Sequence, residues 1–194
     1  MDGVVSSLGI LASAGPALSS SELRTRARRL RLVLTDCDGV LTDATAWYSE
    51  RGEELKRFSL RDGMGTELLR NAGIETAIVT RERSRSVRRR AEKLGVVLFE
   101  GVRDKGADLS RFLAATERGR AEVAYIGDDV NDLGILHAVG EQGLTAAPAD
   151  AVAEVASRAH LHCRTRGGEG AFREFADWIL RLRAGDMETR EGAS

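Results

Sequence analysis

The stretch Arg31-Leu-Val-Leu-Thr-Asp36-Cys-Asp38-Gly39-Val-Leu-Thr-Asp43 governs the reading of the whole chain. A short apolar run stops at two carboxylates one residue apart, and a glycine follows. Side chains alternate across a strand, so Asp36 and Asp38 leave its end on one side and Cys37 on the other. Carboxylates crowded at a strand's C-terminal end repel unless a cation or a proton compensates, and the crevice beyond such ends is where open α/β sheets bind ligands. A hard, all-oxygen site that also receives phosphate suits Mg²⁺. Asp-x-Asp-Gly alone is equally an ordinary strand-to-loop transition, so its chemistry depends on what the rest of the chain supplies.

Three further pieces follow in order. Thr80 ends the apolar run Thr76-Ala-Ile-Val-Thr80 with a hydroxyl, and Lys105 follows Gly101-Val-Arg-Asp104. Val123-Ala-Tyr-Ile-Gly127-Asp128-Asp129-Val-Asn131-Asp132 then repeats the grammar of strand, glycine and acids. Acid pair, hydroxyl, lysine and acid cluster are the parts that phosphoryl transfer through a carboxylate needs. With these motifs in this order the chain resembles the haloacid dehalogenase superfamily of phosphohydrolases over roughly residues 30–183. The resemblance implies that Asp36 is the nucleophile and that Asp38 protonates the leaving group and then activates water. It implies Mg²⁺ on Asp36, the backbone carbonyl of Asp38 and Asp128, with Asp129 and Asp132 behind those ligands or joined through water. Thr80 and Lys105 would hold phosphoryl oxygens, and Lys105 would also neutralise the acids.

A chain of 194 residues suits one domain with a substantial core. Acids and bases nearly cancel, 30 against 29, which leaves no overall field to draw in nucleic acid or an anionic membrane. Cys37 and Cys163 lack metal-type spacing, so a reducing cytoplasm is the expected setting. Residues 1–20 are apolar but carry Asp2 where a leader needs basic residues, and they read as a flexible tail. Ser19-x-x-Glu22 reads as a capping box opening a short basic helix to Arg29. The expected domain spans 21–183, with a polar tail over 184–194.

Apolar runs predict strands near 31–35, 75–80, 96–99, 122–126 and 143–145, and helical patterns predict helices near 63–72, 84–94, 105–116, 130–138 and 170–183. That alternation predicts an α/β fold: a Rossmann-like parallel sheet flanked by helices. Residues 44–58 interrupt it as a β-hairpin turning near Gly52, placed after the first catalytic strand. The chain has no room for a large cap domain. The superfamily members with only such a flap are tetramers in which a neighbour helps cover the site, so the resemblance implies a homotetramer.

Two more segments narrow the family: Arg57-Phe-Ser-Leu-Arg61-Asp62-Gly63-Met-Gly65 and Arg166-Gly-Gly-Glu-Gly170-Ala-Phe-Arg173-Glu174. With the flap they resemble phosphatases of 3-deoxy-2-ulosonic acid phosphates, whose glycine-rich segment reaches toward a neighbour's site. A helix-initiating loop is the plainer reading of those glycines. The resemblance places substrate contacts at Arg61, Asp62, Gly63, Glu82, Arg90, Lys93 and Arg166. Enzymes for the eight-carbon 3-deoxy-manno-octulosonate 8-phosphate usually read Thr-Gly-Arg where this chain has Thr80-Arg81-Glu82. Glu82 and Lys93 match the nine-carbon type, so 2-keto-3-deoxynononate 9-phosphate is the expected substrate and the eight-carbon ester the alternative. A non-catalytic assembly domain, like those fused to sialic acid cytidylyltransferases, is a third reading. The arginines between 81 and 90 read mainly as a solvated helix face, and the three histidines have no metal-type arrangement.

Overall fold

A computed structural model describes residues 18–185. In chain order its elements are α1 (Ser20–Arg29), β1 (Leu32–Thr35), β2 (Trp47–Ser49), β3 (Gly52–Leu55), α2 (Leu60–Asn71), β4 (Glu75–Val79), α3 (Arg85–Leu94), β5 (Val97–Phe99), α4 (Leu109–Thr116), β6 (Val123–Ile126), α5 (Leu133–Gly140), β7 (Leu144–Ala147), α6 (Ala153–Ala156), β8 (Leu161–His162) and α7 (Ala171–Ala184). Residues 1–17 and 186–194, which hold most of both expected tails, lie outside this description.

The six strands of the main sheet are parallel and ordered β5-β4-β1-β6-β7-β8. Alternation along β1 sends Val33 into one core and Leu32 and Leu34 into the other. Ala27, Leu69, Val87 and Phe172 from α1, α2, α3 and α7 cover the first face. Leu109, Ile135 and Val155 from α4, α5 and α6 cover the second. Cys37 is buried with Val33 as alternation requires. α7 belongs to the core itself: Phe172, Phe175, Ile179 and Leu182 are fully buried, each contributing about 1.5–3 kcal/mol by leaving water.

Register positions the site. Thr35 lies level with Ile78 of β4 and Ile126 of β6, so Asp36, Thr80 and Asp128 all emerge just past the C-terminal edge of three adjacent strands. After β1 the chain builds outward to β4 and β5 and then returns to β6 on the other side, so this edge is the topological switch point. The β2–β3 hairpin forms a separate two-stranded flap, with Gly52 at a φ of +101° that favours glycine.

Several boundaries differ from the sequence reading. α2 begins at Leu60 because Ser59 caps it, accepting from the Arg61 N–H. α4 begins at Leu109, because residues 105–108 form turns, with Asp104 Oδ1 accepting from the Ala107 N–H, and Lys105 precedes the helix. α6 and β8 were not expected. Among the described residues no helix is long and apolar enough to cross a membrane.

Candidate active site

The turn after β1 presents Asp36 and Asp38 from a tight loop in which Leu41 and Thr42 both donate to the Cys37 carbonyl. Gly39 sits at a φ of +91°, and a Cβ there would lie 1.9 Å from Asp128 Oδ2, so any side chain would close the acidic mouth. Asp36 Oδ1 accepts from the Cys37 N–H at 2.6 Å, and Asp36 Oδ2 pairs with Lys105 Nζ at 2.9 Å. Lys105 is almost wholly buried, which a lysine tolerates only among compensating anions.

Its second partner is Asp132, at 2.6 Å. Asp132 Oδ1 also accepts from Tyr125 Oη at 2.7 Å, while Oδ2 accepts from the N–H groups of Asp128 and Asp129 at 2.8 and 3.4 Å. Both oxygens are thus committed. Carboxylate oxygens of Asp36, Asp128 and Asp132 nevertheless lie within 4.8 Å of one another. Burial, reinforced by the Asp36 and Asp132 charges, pushes Asp128 up to about 8. Burial likewise raises Asp36, against the pull of Lys105.

Asp128 Oδ1 and Asp38 Oδ2 are buried and have no hydrogen-bond partner. The crowded carboxylate oxygens of Asp36, Asp128 and Asp132, with Asp128 Oδ1 unsatisfied, fit a hard divalent cation such as Mg²⁺. Asp36 and Asp128, together with the Asp38 carbonyl that the resemblance implies, would hold it, while the saturated Asp132 orients Lys105 and the Asp128 backbone from behind. Asp129 is exposed and its carboxylate accepts from its neighbour's N–H, capping the short turn that leads to α5. Thr80 is buried at the end of β4, its hydroxyl accepting from the Glu82 N–H at 3.2 Å.

Sequence reasoning missed Lys56. It follows β3 on the flap, its side chain only 5% exposed, and reaches Asp38 Oδ1 at 2.5 Å and Glu53 Oε2 at 3.4 Å. Thr42 Oγ1 also donates to Asp38 Oδ1, at 3.3 Å. No local pattern signals a lysine whose carboxylate partner lies 18 residues away.

The expected substrate contacts disperse. Asp62 is buried and accepts from the Arg173 N–H at 2.9 Å, so it fastens α2 to the first turn of α7; burial raises its carboxyl to about 6. Arg90 donates to the Ser59 carbonyl at 2.8 Å beneath the Phe58 ring, and a Cβ at Gly63 would come within 2.8 Å of its guanidinium. Asp62, Gly63 and Arg90 therefore brace α2 within the chain. Arg61, Glu82 and Lys93 are exposed, as is Arg166, which pairs with Asp150 at 3.3 Å. Gly167 and Gly168 pack on their own chain: a Cβ on Gly167 would lie 1.9 Å from the Gly39 carbonyl, and the Gly168 N–H donates to Val40 O at 2.9 Å. In this chain those glycines buttress the loop that carries the acid pair.

No family model matches the chain. The curated 3-deoxy-D-manno-octulosonate 8-phosphate phosphatase KdsC of Yersinia pestis is 40% identical over 156 residues, covering 80% of this chain and 82% of that protein. The chain belongs to the KdsC phosphatases. Solved structures agree. A HAD superfamily (subfamily III A) hydrolase from Legionella pneumophila superposes with a TM-score of 0.78 at 36% identity, covering 84% of this chain and 89% of that one. The octulosonate 8-phosphate phosphatase of Moraxella catarrhalis, solved with magnesium ion, phosphate ion and KDO, gives 0.78 at 30% identity, covering 85% and 94%. As a KdsC-type protein the chain is a phosphoric monoester hydrolase of the haloacid dehalogenase superfamily, acting on a sugar-acid phosphate. The catalytic reading is thereby favoured over the assembly-domain alternative.

Proposed function

We propose that this chain is a Mg²⁺-dependent phosphatase of 3-deoxy-D-manno-octulosonate 8-phosphate. The relatives' substrate supports the eight-carbon alternative over the nine-carbon reading drawn from Glu82 and Lys93. The observation that carries the chemistry is the pairing of a nucleophile clamped by Lys105 with a neighbouring carboxyl, Asp38, whose Oδ2 is unengaged. Asp36 attacks phosphorus, and the bond from phosphorus to the sugar oxygen breaks. That oxygen takes a proton from Asp38 Oδ2. Water then gives a proton to the same oxygen of Asp38 while attacking the aspartyl phosphate, which releases phosphate and regenerates Asp36. Bound Mg²⁺ would offset the carboxylate and phosphoryl charges as they meet. Lys105 and Thr80 hold phosphoryl oxygens. The test is a parallel measurement of kcat/KM on eight- and nine-carbon ulosonate phosphates with Mg²⁺ present. A higher value for the eight-carbon ester is expected; preference for the nine-carbon ester restores the other reading, and turnover of neither defeats both.

The assembly that completes the site is a homotetramer. The flap exposes Trp47 and Tyr48, each 71%, together with Leu55, and Leu60 at the start of α2 is exposed as well. Large apolar side chains grouped on an uncovered flap support its burial against another copy.

A further inference from the structure

We propose that Lys56 is the positioning residue for the acid–base carboxyl of Asp38, a claim that rests on the phosphatase reading above. Asp38 has two unlike oxygens. Oδ1 is held by Lys56 Nζ at 2.5 Å and by Thr42 Oγ1 at 3.3 Å, whereas Oδ2 is buried with no partner. The terminal torsion of an aspartate is broad and roughly two-fold, so an unanchored carboxyl would not select which oxygen meets the leaving group. Fixing Oδ1 leaves Oδ2 as the oxygen free to give and take the proton.

The anchor is itself built in. Lys56 also meets Glu53 Oε2 at 3.4 Å, and Glu53 Oε1 accepts from Ser84 Oγ. Ser84 caps α3, accepting from the Val87 N–H. A partly buried polar chain, Asp38–Lys56–Glu53–Ser84, therefore runs from the catalytic loop through the flap to α3. Packing alone does not account for it, since a well-packed apolar residue usually serves stability as well as or better than a buried ion pair. The flap thereby orients the proton donor as well as covering the site.

A double-mutant cycle on Lys56 and Asp38, read with octulosonate 8-phosphate and with p-nitrophenyl phosphate, tests this. Lys56→Met should lower kcat/KM for the sugar phosphate by about 10- to 100-fold, a large part of what a general acid supplies. The loss should be smaller for the aryl ester, whose leaving group needs no proton. In an Asp38→Asn background the same change should cost less than about twofold, because the group it acts through is already disabled. Lys56→Arg, which restores a donor, should recover part of the activity. Equal losses with and without Asp38, or equal losses on both esters, would overturn the proposal and leave Lys56 a structural flap residue. If thermal unfolding shows Lys56→Met to be unfolded, Lys56→Gln takes its place in the cycle with the same two outcomes. Wild-type turnover of the aryl ester but of no ulosonate phosphate would defeat only the substrate assignment, and kcat for the aryl ester would still decide the coupling to Asp38. Turnover of neither ester would remove the phosphatase reading and this proposal together.

Discussion

Replacing Asp132 with asparagine should damage this protein more than its place behind the metal ligands suggests. Its carboxylate is fully buried and accepts four hydrogen bonds, two on each oxygen. An asparagine has one carbonyl oxygen and one amide nitrogen, so its NH₂ must face either the Lys105 ammonium or two backbone N–H groups. Both choices set donor against donor. Losing the charge also leaves Lys105 with Asp36 as its remaining carboxylate partner, at 2.9 Å. Breaking a buried ion pair from one side costs about 3–5 kcal/mol. For a domain of this size each kcal/mol lowers Tm by about 2–4 °C, so a fall of about 6–20 °C is expected. Circular dichroism melts of the metal-free variant and wild type measure it directly, and kcat should fall too because Lys105 loses its fixed position. A variant melting within about 2 °C of wild type with normal kcat would refute the assignment of Asp132 as the clamp on Lys105.

Asp36→Asn should fold normally and lose at least about 10³-fold in kcat, since the nucleophilic charge goes with little change in volume; near-normal turnover would sink the covalent mechanism. Asp38→Asn should be impaired more on alkyl than on nitrophenyl phosphates in kcat/KM, and an equal deficit would count against its acid role. Burial pushes Asp128 up to about 8 and also raises Asp36, so the folded protein binds protons there that the unfolded chain has released. Stability of the metal-free protein should therefore be greatest below about pH 4 at these groups and fall as pH rises through about 8, before other titrations are added. Melting series with and without Mg²⁺ check the sign: the metal should flatten the fall, and a metal-free melt that rises across pH 5–8 would contradict it. Light scattering should give about four chain masses. Because α7 buries core side chains, Arg166→Ala rather than truncation tests the glycine-rich segment. Its loss should weaken turnover of the sugar phosphate more than of an aryl phosphate, and equal effects would remove it from substrate recognition.

Local order along the chain was enough to determine part of this protein before any tertiary contact is considered. Alternation in Leu32–Thr35 placed Cys37 in the core and the acids beyond it, and each apolar run that ends in an acid or hydroxyl marked a strand whose C-terminal edge carries chemistry. Ser19 and Glu22 form the capping box their spacing announces. Period and capping are written in consecutive residues, so they need no partner to be seen. Elements too short to show a period escaped: α6 is one turn and β8 two residues. Tertiary structure alone decided the rest. Asp62 is fastened to α7 across 111 residues, Lys105 to Asp132 across 27, and Lys56 to Asp38 across the flap. It also turned Gly167 and Gly168 toward the loop of Gly39. Such contacts join groups whose separation along the chain has no period, and they form because a buried charge or N–H must find its complement wherever the packed sheet brings one.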